Sequence, residues 1–219
     1  MIQPFSVQNV YFEKGKRISL FTKNLTPKTT YFGERTRIAK GVEFRQWDPT
    51  RSKLAAALLR KVKLPLQEGM TVLYLGSAHG YTPSFLSDII GKKGWIICVD
   101  PAPRVMQSLM QVTEKRNLIP LLEDANHPEN YPELPKVDMV YMDVAQKDQV
   151  GILVKNLRFL KRNGVAVLML KSRSIDATKQ PREVYEMARK ELEKHVRIVE
   201  AAVLEPFEKD HCCYVLRLG

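Results

Sequence analysis

Residues 71–100, TVLYLGSAHGYTPSFLSDIIGKKGWIICVD, decide the fold. TVLYLG is a short apolar run without polar alternation, the pattern of a strand buried on both faces. Gly76 and Gly80 bracket a turn, TPSFLSDII reads as a helix, and WIICVD is a second buried strand ending at Asp100. Strand, glycine turn, helix and strand make one crossover unit of a parallel sheet.

Downstream the alternation continues. A helix runs through Val105, Leu109 and Val112, and LIPLLED, VDMVYMDV and GVAVLMLKS are further apolar strands. Helices around 149–160 and 183–194 connect the later ones. This is the pattern of a doubly wound α/β fold. The end differs: VRIVEAAVLE and HCCYVLRLG are separated only by residues 206–210, too few for a crossover helix, so these strands are expected to be antiparallel. A parallel sheet closed by such a hairpin is the Rossmann-like arrangement of class I methyltransferases.

Upstream the period changes. NVYFEKGKRISLF and ERTRIAKGVEFRQW read as two hairpins, turning at Lys14-Gly15-Lys16 and Lys40-Gly41, with glycine supplying positive φ. RSKLAAALLRKVKL follows as a helix with Leu54, Leu58 and Val62 on one stripe, stopped by Pro65. The expected organisation is a small β unit over 1–48 and an α/β domain over 49–219.

Composition narrows the partners. Residues 1–63 carry fourteen Lys and Arg against four acids, which is +10 of the chain's +11. Charge concentrated in one third points to a polyanion such as RNA. No apolar run is long enough to span a bilayer and no secretory signal opens the chain, so a cytoplasmic protein with no membrane association is expected. Cys98 lies in an apolar strand, and adjacent Cys212 and Cys213 point to opposite faces of theirs. With four scattered histidines, no metal site is indicated.

Ligands of open α/β sheets bind beyond the carboxyl ends of the strands. Small residues at 76–80 let a ligand approach the backbone, and the helix start behind them offers free N–H groups. Asp100 suits a pair of ribose hydroxyls, and an acid in Glu123-Asp124-Ala125 suits the amino group of an adenine. The next ends carry Asp143-Val144-Ala145-Gln146 and Lys171-Ser172-Arg173. Each acid has a plainer reading as a helix cap, and the lysine as a solvated strand end. No GxxxxGK[ST] loop is present, so a nucleoside triphosphate is not indicated.

The stretches GVEFRQWDPTRSKLAAAL, VLYLGSAHGYT, IPLLEDANHPENY, MDVAQ, KSRSID and LEPFEKDH resemble the fibrillarin family in order and spacing, over nearly the whole chain. The resemblance implies methyl transfer from S-adenosylmethionine to ribose 2′-hydroxyls of ribosomal RNA and, in archaea, transfer RNA. It also implies a particle containing a box C/D guide RNA, a target RNA, a kink-turn-binding protein and a Nop-domain scaffold protein. Eukaryotic members carry a Gly/Arg-rich tail that this chain lacks, so it looks like the archaeal type.

Carried over residue by residue, the resemblance places the cofactor at Gly76, Tyr81, Thr82, Asp100, Pro101, Asp124, Ala125, Asp143, Val144, Ala145 and Gln146. The catalytic group would be Lys53, Asp143, Lys171 and His211. Tyr81 stands where the family usually has the first of two threonines, and Asp100-Pro101 where it usually has Glu-Phe. Lys171 is expected nearest the ribose proton, with Asp143 orienting it and His211 on the sugar or phosphate edge, or capping the terminal hairpin. Two other readings remain open: a methyltransferase for a small molecule or protein, and a catalytically weak assembly subunit that binds RNA or the scaffold.

Overall fold

Ser52, Gly80 and Asp148 mark where three helices begin, and those starts shape the end of the sheet on which the predicted site lies. The computed structural model describes residues 1–219. Five strands come first: β1 (Gln3–Pro4), β2 (Val10–Lys14), β3 (Ile18–Lys23), β4 (Thr36–Ala39) and β5 (Val42–Trp47), followed by α1 (Lys53–Leu59). The remaining strands are β6 (Thr71–Leu75), β7 (Trp95–Val99), β8 (Leu118–Leu121), β9 (Val137–Met142), β10 (Leu160–Lys171), β11 (Arg197–Val203) and β12 (His211–Arg217). Between them lie α2 (Tyr81–Ile90), α3 (Pro103–Thr113), α4 (Gln149–Asn156), the single turn α5 (Ser172–Ile175) and α6 (Pro181–Leu192).

Both expected N-terminal hairpins form, within an antiparallel sheet of order β1-β2-β3-β5-β4. The second turns on Lys40 (φ 49°) and Gly41 (φ 75°), two left-handed residues that match the twist of the flanking strands. Gly15 in the first hairpin is not left-handed, contrary to the sequence reading; its N–H is satisfied by the carbonyl of Arg17 at 3.3 Å. The helix after the sheet is also shorter than its apolar stripe predicts. It stops at Leu59 because Lys61 turns left-handed (φ 65°), and the N–H groups of Lys61 and Val62 close on the carbonyls of Leu58 and Ala57. That pair of bonds satisfies the last helical carbonyls without any help from Pro65. Val62 is still buried, but as the residue that seals the cap.

The second sheet has the order β11-β12-β10-β9-β6-β7-β8. Strands β6 to β10 pair in parallel, and β12 joins β10 and β11 antiparallel, as the short 206–210 link requires. Chain direction across the sheet reverses between β6 and β9, so the crevice expected of such sheets opens there. α1, α2 and α3 cover one face, and α4 and α6 the other. Cys213 belongs to the first core and Cys212 to the second, as alternation along a strand dictates.

The N-terminal sheet shares the first of these cores. Trp47 stacks parallel on Phe85 of α2, with ring centroids 5.3 Å apart, and both are fully buried. Beside them lies a buried ionic network that the sequence did not announce. Asp88 of α2 accepts from Arg45 (2.9 Å), Arg116 (2.7 Å) and Thr22 (2.7 Å), and Arg45 also reaches Glu34 at 2.7 Å. Arg45 is therefore an internal charge, and one fewer cation faces a polyanion than the count over 1–63 implies.

Candidate functional site

Gly76 and Asp143 lie side by side because β6 and β9 are neighbours and end at the same level. The Asp143 N–H donates to the Leu75 carbonyl at 2.9 Å. A Cβ on Gly76 (φ 80°) would sit 2.4 Å from the Asp143 carbonyl oxygen, so no other residue fits without moving that backbone. The turn ends on Gly80 (φ 88°), which starts α2 without a side-chain cap. The first N–H groups of α2 therefore lack the usual side-chain acceptor. Ser77, buried within the same turn, has a hydroxyl with no partner. A close-approach glycine, an uncapped helix start and an orphaned buried hydroxyl fit a polar ligand lying against this turn. Ser77 was not singled out in the sequence, where a serine between glycines looks like any turn residue.

The other strand ends contribute rigid acceptors. Asp100 is not a side-chain cap of α3; its two oxygens accept from the N–H groups of Ala78 (3.0 Å) and Ala102 (3.1 Å), tying two ligand-side loops together. Each oxygen keeps a lone pair, so the carboxylate can still accept from ribose hydroxyls. Pro101, next to it, is exposed. At the third strand end Asp124 Oδ1 accepts from the N–H of Asn126 at 2.9 Å, and Asn126 in turn bonds Gln146. This joins Asp124 and Gln146 into one rim. Ala125 is buried, while Val144, Ala145 and Gln146 are partly or fully exposed at the cleft.

Thr82 and Tyr81 point elsewhere. Thr82 is buried and donates to Ser52 Oγ at 3.0 Å, and Ser52 caps α1 by accepting from Ala55 N. Tyr81 turns toward the N-terminal sheet: its hydroxyl accepts from Asp48 N at 3.3 Å, and its ring meets Phe32 and Phe85. The Arg51 guanidinium sits 4.2 Å from the ring centroid. What these two residues offer the cleft is the backbone of the α2 start. Their side chains lock that start to the segment preceding Lys53.

The four expected catalytic residues gather at one place. Lys53 Nζ lies 2.8 Å and 3.0 Å from the two Asp143 oxygens. Lys171 ends β10, its backbone clasped on both sides by the Gln149 amide, at 2.9 and 3.0 Å. Its amine makes no ion pair or hydrogen bond with the protein. His211 starts β12 opposite Lys171 in the ladder. Its Nδ1 donates to the Lys209 carbonyl at 2.6 Å, which leaves Nε2, buried and unpartnered, with the lone pair. Burial first, and the charges of Lys53 and Lys171 with it, hold the imidazole below its ordinary pKa, so it is neutral at pH 7. It therefore both holds the terminal hairpin and joins the cluster.

Glu208 was missed. It sits on the link between β11 and β12, with its Oε2 4.0 Å from His211 Nδ1. Burial pushes its carboxyl above the ordinary value and Asp143 adds to the rise, while Lys53 and Lys171 pull the other way. In the sequence it is one acid in a charged turn, and nothing in EKDH distinguishes it from a solvated one. No group of three or more His, Cys, Asp or Glu side chains is placed to hold a metal ion.

A doubly wound sheet closed by an antiparallel hairpin, with a glycine turn and acids at its switch point, defines a class I methyltransferase architecture. Within that class the chain belongs to the fibrillarin family, whose profile matches residues 2–218. It is 48% identical over 200 residues to the fibrillarin-like rRNA/tRNA 2′-O-methyltransferase of Thermococcus gammatolerans, covering 90% of this chain and 88% of that one. Among solved structures it resembles Aeropyrum pernix fibrillarin with natively bound S-adenosyl-L-methionine, at a TM-score of 0.90 and 42% identity, over 99% of this chain and 97% of that one. It also resembles the fibrillarin of a fibrillarin/Nop5p complex, at a TM-score of 0.89 and 37% identity, over 99% and 100%.

Proposed function

We propose that this chain transfers a methyl group from S-adenosylmethionine to ribose 2′-hydroxyls of rRNA and tRNA, directed by a box C/D guide RNA. The observation that carries it is the Lys53–Asp143 pair beside Lys171, at the switch point of a methyltransferase sheet. An assembly subunit without activity needs no such cluster.

S-adenosylmethionine, when bound, supplies a methyl carbon already activated by the adjacent sulfonium charge. What remains for the protein is alignment and removal of one proton. The Gly76–Gly80 turn and the start of α2 would hold the amino acid end of the cofactor, Asp100 the ribose hydroxyls, and the Asp124–Gln146 rim the adenine. Lys53 immobilises Asp143 at the end of β9, where it would lie near the methyl donor. The Lys171 amine, unoccupied by any protein partner, takes the hydroxyl proton. Neutral His211 presents its Nε2 lone pair to a hydroxyl of the target nucleotide, a hydrogen bond that an imidazolium could not accept.

The particle we envisage contains a Nop-domain scaffold protein, in keeping with the fibrillarin/Nop5p complex that this fold matches, together with guide RNA, target RNA and a kink-turn-binding protein. The test is reconstitution of the chain with scaffold, kink-turn protein, guide and target RNA and labelled S-adenosylmethionine. Methylation confined to the guided ribose is expected. Absence of transfer, or transfer that ignores the guide, overturns the reading.

A further inference from the structure

Beyond the last pair of the β3–β5 ladder, Leu20 opposite Trp47, the two strands part around an open cleft of about 360 Å³. Ile18 and Ser19 line it from β3, Asp48 and Arg51 from the segment after β5, and Tyr81 from the start of α2. The chain on the β3 side comes directly from the hairpin tip, where Lys14, Lys16 and Arg17 are exposed. On the other side it leads directly to Lys53, the partner of Asp143. The cleft therefore lies between a basic turn and the catalytic cluster. Two arginines of its wall, Arg35 and Arg51, are exposed and have no carboxylate partner. The acids beside them are engaged: Glu34 bonds Arg45 at 2.7 Å, and Asp48 Oδ1 accepts from the amide and hydroxyl of Thr50, both at 2.8 Å. Arg51 is also held in place. Its guanidinium sits 4.2 Å from the centroid of the Tyr81 ring and gives one N–H to the Phe32 carbonyl at 3.3 Å, leaving the rest of its donor fork free.

We propose that this cleft binds a phosphate of the target strand next to the methylated ribose, with Arg51 as the fork that grips it and Arg35 as a second cation. This rests on the reading of the chain as a guided RNA ribose methyltransferase and deepens it. An enzyme whose target is chosen by a guide meets a different sequence at each site, so its own contacts must go to the backbone, which carries no sequence information. A planar guanidinium matches a phosphate bidentately, and one already ordered on an aromatic ring loses less freedom on binding. The placement fits the target strand. Arg51 precedes Lys53 by two residues, at most about 7 Å along the chain. That segment is tied at both ends, by Asp48 N to the Tyr81 hydroxyl at 3.3 Å and by Thr82 to Ser52 at 3.0 Å. A strand with its ribose at Asp143 therefore passes Arg51 within its next phosphates and can run on toward the hairpin tip.

Single methylphosphonate linkages, neutral replacements for a phosphate, locate the contact. In the reconstituted particle, one such linkage within two nucleotides of the target ribose is expected to slow single-turnover methylation by the wild type about tenfold. Arg51→Ala should be slowed as much on unmodified RNA, and no further on the modified strand. The full chain titrated with labelled guide–target duplex, without cofactor and across salt concentrations, gives a second reading. Arg51→Ala should lower the slope of log K against log salt by about one, and Arg51→Lys should keep it. Thermal unfolding confirms that each variant is folded. Arg35→Ala, whose side chain bonds nothing in the protein, supplies the same two readings if Arg51→Ala unfolds. Equal methylphosphonate penalties in wild type and variant, an unaltered salt slope, or a penalty confined to linkages of the guide strand would overturn the proposal. The salt titration involves no chemistry, so it holds or fails whether or not the wild-type particle methylates.

Discussion

Lys53, the first residue of its helix, closes on both carboxylate oxygens of Asp143, ninety positions later in the chain, at 2.8 and 3.0 Å. Ser52 makes this possible, because its hydroxyl caps the helix and is itself fixed by Thr82 from the glycine-turn helix. Two helix starts and one strand end are thus coupled through four side chains. Lys53 and Asp143 keep about a fifth of their side-chain surface in solvent, so their pairing adds on the order of 1 kcal/mol or less to stability. Their joint contribution lies in geometry.

Lys171→Ala and Asp143→Ala are accordingly expected to cut methyl transfer by at least about 100-fold, while particle assembly and thermal unfolding stay close to wild type. Turnover assays and gel-shift titrations check this together. Near-normal turnover by either variant would sink the role given to that residue.

Gly76→Ala should weaken cofactor binding and destabilise the fold by about 1–3 kcal/mol. The added methyl meets the Asp143 carbonyl at 2.4 Å in a left-handed backbone. Chemical denaturation and calorimetry measure the two effects. A variant with unchanged cofactor affinity would show that the turn is structural only.

Asp88→Ala removes the anion on which Arg45 and Arg116 converge, all three with fully buried side chains. Arg116 then loses its one carboxylate partner and Arg45 keeps only Glu34, which should cost about 3–5 kcal/mol. Because the network joins the N-terminal sheet to α2, proteolysis should then first release the N-terminal strands. A loss below about 1 kcal/mol would mean that water reaches the network.

His211 gives a pH signature with a definite sign. Its folded-state pKa lies below the ordinary 6.5, mainly through burial. Above 6.5 the imidazole is neutral in both states and its contribution is fully present. As pH falls from 6.5 toward the folded value, the unfolded chain takes up a proton that the folded one refuses, and stability declines. Unfolding free energies measured between pH 7.5 and 5.5 (about one unit above and below the ordinary value) should show this slope, and His211→Gln should remove it.

Binding of target RNA through the basic first third should weaken steeply with salt, log K falling linearly with log salt concentration through counterion release. Charge-reversing Lys14, Lys16 and Arg17, all exposed on the first hairpin, should flatten the slope. A slope indifferent to these changes would assign that sheet to protein docking instead.

Strand content, the closing hairpin and the loops that carry the site were all legible, because buried parallel strands are continuous apolar runs and glycines mark the turn between them. The helix end at Leu59 was not, since a left-handed lysine at 61 leaves no mark in composition. Asp88, Arg45 and Arg116 were equally silent: each is an ordinary charged residue until three elements converge. Tyr81 was legible as a departure from the family pattern. Its turn toward Phe32, Arg51 and Asp48 depends on a sheet that must first dock.

By itself the sequence determined the period of each segment, the strand ends that carry acids and a lysine, and the charge asymmetry of the first third. These are local properties, set by residue type and spacing. Only the tertiary structure decided which charges meet. It spent Arg45 inside the protein, gave Asp143 to Lys53, and left the Lys171 amine without a protein partner. Such pairing depends on distances between groups remote in sequence and on the exclusion of water around them, and no local pattern encodes either.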